Sequence, residues 1–190
     1  MAYRLAAAPA AVLLAIAGLA GASHAQTRGI GAGGDDNAVR CQLAAEEDRS
    51  DPESLRLCTT ALANESLKKA DRAATYANRA VILVNRKSFV WAAADCDKAL
   101  ALAPNNGAAY VNRGAARLGQ KRFQDALADI DEGLKLDPPN PSRAWYNRGL
   151  AHEGLGDARS AVDDYKMALK LRPDWPLAME RLKVAEANAR

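Results

Sequence analysis

One register runs through most of this chain. Tyr76-Ala77-Asn78-Arg79-Ala80 returns 34 residues later as Tyr110-Val111-Asn112-Arg113-Gly114, and 35 residues after that as Trp145-Tyr146-Asn147-Arg148-Gly149. The additional residue falls in Pro138-Pro139-Asn140-Pro141, a turn that absorbs it without disturbing a helix. Phe89, Phe123 and Ala158 correspond; so do Ala92, Ala126 and Ala161, then Cys96, Ile130 and Tyr165, then Ala99, Gly133 and Ala168. Each unit closes on a proline, at Pro104, Pro138 and Pro173, which stops a helix because it cannot donate the next hydrogen bond. A period of this length marks a supersecondary unit that cannot bury its own apolar face and must stack on its neighbours.

Within each unit two apolar stripes at helical spacing flank a short turn, which predicts a pair of helices. Composition agrees: 49% of residues are apolar but only 5% aromatic, and Ala and Leu outnumber the β-branched residues that favour sheets. The small residue of the first helix (Ala80, Gly114, Gly149) lets the second approach, and Ala92, Ala126 and Ala161 fill the matching position. Phe89 and Phe123, together with Cys96, Ile130 and Tyr165, are expected to wedge between neighbouring units. The aromatic, small-residue and proline spacing over these three units resembles the tetratricopeptide repeat family. That resemblance implies an all-α fold, an αα-superhelical solenoid with a concave inner face. Residues 73–106, 107–141 and 142–175 make the three repeats. Ala80 stands where the family usually has glycine, Ala158 where it has an aromatic, and Lys87 and Lys121 where Gly156 stands in the third unit.

The ends of the array are less regular. Leu57-Cys58-Thr59-Thr60-Ala61-Leu62 aligns with the second helices, Cys58 against Cys96 and Ala61 against Ala99. Asp51-Pro52 is a helix start. Residues 36–66 therefore read as a partial repeat, an N-terminal helical hairpin capping the stack. Residues 176–190 read as a C-terminal capping helix, with Trp175 packing back on the third unit. Upstream, Arg4 precedes an uncharged run from Leu5 to Ala22, and Ser23-His24-Ala25 supplies a small–x–small cleavage pattern. Residues 1–25 are expected to be a signal peptide and 26–35 a flexible Gly-rich linker. An uncleaved membrane anchor is the rival reading; the alanine-rich run, Pro9, Gly18 and the missing basic stop argue against it, and no stable membrane insertion is expected after cleavage. The expected location is the exported compartment, a bacterial periplasm.

In an oxidising compartment cysteines pair. Cys41 and Cys58 lie on the two arms of the expected hairpin and are the preferred disulfide, with a Cys58–Cys96 bridge as the alternative; Cys96 reads otherwise as a small core residue.

No pattern for chemistry emerges. The net charge of +3, from 26 basic and 23 acidic residues, gives no drive toward nucleic acid. No metal pattern, phosphate loop or catalytic constellation is present, no cofactor is implied, and the chain is not expected to be an enzyme. His152 on a packed face reads as structural. Asp95/Asp97, Asp129/Asp131 and Asp163/Asp164 recur as a ladder, and Arg79, Arg113 and Arg148 are placed to pair with it. The resemblance implies that the first helices line a groove for a protein or peptide partner. Its candidate residues are the amides Asn78, Asn112 and Asn147, an apolar floor of Val81, Ala115 and Leu150, and the polar Asn85 and Arg143. An amide offers two donors and an acceptor to an extended backbone. Packing between helices is the competing role for the asparagines. A clamp for an acidic chain end is doubtful, since Ala77 and Val81 stand where it needs Lys and Asn. Self-association through the stack edges or the capping helix is the alternative function.

Overall fold

The computed structural model describes residues 35–190, and within them it holds nine α-helices and no strand. They are α1 (Asp36–Glu46), α2 (Pro52–Ala63), α3 (Lys69–Asn85), α4 (Phe89–Leu102), α5 (Gly107–Gly119), α6 (Phe123–Lys135), α7 (Pro141–Leu155), α8 (Ala158–Leu171) and α9 (Pro176–Asn188). The expected signal segment, and the linker apart from Asp35, lie outside the described residues. Asp35 belongs to the fold rather than to the linker: it caps α1 by accepting from the Ala38 amide at 3.2 Å and receives the Asn64 amide at 2.7 Å. Asp51, Asn106, Asn140 and Asp157 cap α2, α5, α7 and α8 in the same way, satisfying amide donors that a helix start leaves unpaired.

Consecutive helices pack in pairs, and the first helix of each unit also packs on the pair before it, giving one all-α superhelix. α3 starts four residues ahead of the boundary expected at 73, so the first unit has a longer inner helix. Tight turns join the two helices of each unit. Asp48, Lys87, Lys121 and Gly156 occupy the same turn position with φ of 54°, 59°, 61° and 80°. One left-handed residue lets the chain reverse in a few residues, and three of the four units accept its steric cost without a glycine.

Side-chain size sets the spacing. A Cβ placed on Gly114 would meet Ile130 Cγ1 at 2.5 Å, and one on Gly149 would meet the Tyr165 ring at 2.6 Å. Ile130 and Tyr165 therefore press closely against the first helix of their own unit. A phenylalanine wedges between units: Phe89 lies on Gly119 of the next unit, and Phe123 on Gly154. The core grows toward the C-terminus. Ala80, Cys96 and their neighbours form a small cluster, whereas Tyr146, Tyr165 and Trp175 join Ile130, Leu118 and Leu150 in the largest one. Trp175 is 1% exposed and lies 4.7 Å from the Tyr146 ring, so α9 covers the third unit. Cys41 and Cys58 are joined in a buried disulfide across the α1–α2 hairpin, and Cys96 is free and buried.

Candidate functional site

The repeated arginines and aspartates form a continuous ion-pair ladder. Arg79 donates two bonds to Asp95 at 2.6 and 2.9 Å, Arg113 two to Asp129 at 2.9 and 2.7 Å, and Arg148 two to Asp164 at 3.0 and 2.7 Å. Each pair ties the two helices of one unit. A second aspartate then ties units together: Arg113 reaches Asp97 at 2.7 Å and Arg148 reaches Asp131 at 3.1 Å. The register position after Asp131 is Lys166, which forms an ion pair with Glu186 of the capping helix at 3.6 Å. Asp163 is exposed and outside this register. Each ladder arginine also lies over the aromatic ring three residues before it, Tyr76, Tyr110 or Trp145, at 4.2 to 5.7 Å. Bidentate, ring-stacked guanidinium groups of this kind hold geometry. Burial works against the charge on Arg148, but the Asp164 and Asp131 carboxylates outweigh it and hold the guanidinium more firmly protonated than usual. Asp95, Asp129 and Asp164 thus serve as the ion-pair partners of this packing. His152, 3.6 Å from Asp157 and 3.7 Å from Asp164, belongs to the same network. Burial pushes the Cys96 thiol far above its usual range, which keeps it unreactive.

The expected groove residues fall on α3, α5 and α7, but not as one open row. Asn78 is half-buried. Asn112 donates to the Ala77 carbonyl of the preceding first helix at 3.2 Å, a packing bond. Asn147 is 3% exposed. The apolar trio is taken up by packing: Val81 sits against the hairpin core, and Ala115 and Leu150 are 8% and 5% exposed inside core clusters. Asn85 and Arg143 meet a residue that local sequence gave no reason to single out. Asn85 donates to the Asp48 carbonyl at 3.0 Å, and Arg143 pairs with the Asp48 carboxylate at 2.8 Å, across 95 residues of chain. The Asp48 side chain is 4% exposed. Burial pushes its carboxyl above the usual range, although Arg143 and then Arg172 pull the other way. One of its oxygens, Oδ1, has no hydrogen-bond partner, and neither has Oδ1 of Asn85.

The described residues hold no group of three or more acidic, histidine or cysteine side chains placed for a metal, and no helix long and apolar enough to cross a membrane.

The architecture is that of a helical-repeat solenoid whose polar ladder serves packing. Family models described as tetratricopeptide repeat match residues 91–141 and 142–174. Over residues 91–174 the chain carries tetratricopeptide repeats. Among solved structures it is similar to the Arabidopsis OM64 TPR domain, with 25% identity, a TM-score of 0.58, and cover of 62% of this chain and 97% of that one. The second TPR domain of human RPAP3, in complex with an HSP70 peptide, shares the fold at 23% identity and a TM-score of 0.56, covering 63% and 98%. A fragment of MamA from Desulfovibrio magneticus RS-1 does so at 21% identity and 0.55, covering 81% and 92%. No curated protein sequence matches the chain.

Proposed function

We propose that the protein is a non-catalytic adaptor of the cell envelope, exported by its N-terminal segment, which takes up a peptide segment of a partner protein along the face lined by α3, α5 and α7. The observation that carries this reading is how the polar side chains divide. The Arg–Asp ladder and His152 are consumed by packing and Arg143 by Asp48, whereas Asn78 stays half-buried on α3 and Asn85 keeps an Oδ1 with no partner. Members of this fold that bind peptides, such as the RPAP3 domain with its HSP70 peptide, support a protein partner. The chemistry is recognition by main-chain hydrogen bonds.

The test is site-specific photo-crosslinking in cells. A crosslinker at Ala74, one turn before Asn78, should trap a partner in the exported fraction. The same crosslinker at Trp91, 71% exposed on the outer helix row, should not. Asn78→Ala should abolish the adduct while the melting temperature stays unchanged. Equal trapping from both positions overturns the groove reading.

Self-association is the second reading. It is favoured by apolar side chains left open at both edges of the array, Val39 and Leu43 on α1 and Met179 and Val184 on α9. A dimer seen by sedimentation and abolished by Leu43→Glu or Met179→Glu would support it.

A further inference from the structure

We infer that Asp48 and Arg143 form a clasp that holds the inner face of the array closed, so that a peptide enters only when the clasp opens; the inference rests on the groove reading above. In a solenoid each unit touches its neighbours. Asp48 lies in the turn of the N-terminal hairpin, and Arg143 begins the inner helix of the third unit, with two whole units between them in the chain. A contact that skips those units forms where curvature brings distant units together, which is the inner face. The clasp therefore spans the same face that a bound segment would occupy.

The hairpin is built to deliver this one contact. The Cys41–Cys58 bond locks its two arms, Asn85 and Arg86 hold the turn by bonding the carbonyls of Asp48 and Ser50 at 3.0 and 2.6 Å, and the positive φ of Asp48 fixes the direction of its side chain. Yet the contact is poorly satisfied. The carboxylate is almost fully buried, and its Oδ1 lacks a partner, as does the Oδ1 of Asn85, whose amide nitrogen bonds the Asp48 carbonyl. A buried ion pair with an unmade bond is a weak source of stability. Two orphaned acceptors on the inner face are also the groups that the N–H donors of an entering backbone would satisfy. Opening the clasp frees Arg143, Asn85 and Asp48 together.

Two variants leave the turn backbone intact. Asp48→Lys places the residue that Lys87 and Lys121 already supply at the same positive φ, and Arg143→Glu lies in the first turn of α7, whose start stays capped by Asn140. Hydrogen exchange of the unliganded full chain reads the clasp alone. Each single variant should speed exchange of residues 36–63 and of the first turn of α7 by about tenfold, and the double variant, with the charges exchanged, should restore protection. Unchanged exchange in either single variant, or no recovery in the double, overturns the clasp. The crosslinker at Ala74 reads the gate. Its yield should rise in both single variants and fall back in the double. If exchange responds as expected but the yield does not rise in the single variants, the contact is a structural tie and the gating inference is wrong. If the wild-type adduct never forms from Ala74 and the single variants give none either, the groove reading fails while the clasp stands on exchange alone.

Discussion

At the closest approach between paired helices, residue volumes trade against one another. Ala80 faces the small Cys96, whereas Gly114 faces Ile130 and Gly149 faces Tyr165. A methyl fits where the opposing side chain is short and clashes where it is long. Gly114→Ala should therefore cost about 1–3 kcal/mol in urea unfolding, and Ile130→Val in the same chain should recover part of it. The ladder makes a second prediction. Arg79→Met strands Asp95, whose remaining cation is Lys98 at 3.7 Å, and should cost about 3–5 kcal/mol. Arg113→Met leaves Asp129 on Arg117 at 2.6 Å and should cost less. The turns give a gain instead. Lys121 holds φ of 61°, so Lys121→Gly should raise stability by about 1 kcal/mol. Exposed caps respond to acid. Asp51 and Asp157 are held below the usual carboxylate range by bonds to Ser54 and Ser160. Their contribution is present above that range and is lost as pH falls through their lowered values. Asp51→Asn with Asp157→Asn should flatten the acid limb of a melting-temperature profile.

Helices and their pairing were legible because packing repeats. A position that faces the next helix must be small or large in every unit, so the register, the prolines and the small-residue contacts could be read from residue order alone. The Arg79, Arg113 and Arg148 series was legible for the same reason, since each meets its aspartate within one unit. Two features escaped. The apolar residues Ala115 and Leu150 were expected on a groove floor, yet neighbouring helices close over them. Asp48 was invisible because its partner lies 95 residues away and no local spacing encodes such a pair. At this scale the hairpin bond is testable. Cys41 and Cys58 are 17 residues apart, and closing a loop of that size is worth about 3 kcal/mol. Reduction, or Cys58→Ala, should lower stability by that amount, with loss of hydrogen-exchange protection beginning in α1 and α2.

Taken whole, the molecule is a one-dimensional stack with an uneven core. The third unit and α9 enclose two tyrosines and a tryptophan, while the buried cluster of the first unit holds alanine, cysteine, leucine and valine and no aromatic ring. Trp175→Ala should cost about 3–5 kcal/mol, and protection from exchange should rise from the hairpin toward α7 and α8. That slope has a direction in time as well as in space. A growing chain emerges hairpin first, and its tightest interlock, the three buried rings, is completed only when the last helix arrives. Until then every earlier unit is a template without a backstop. A chain truncated before Trp175 should accordingly lose order along its entire length rather than only at its cut end.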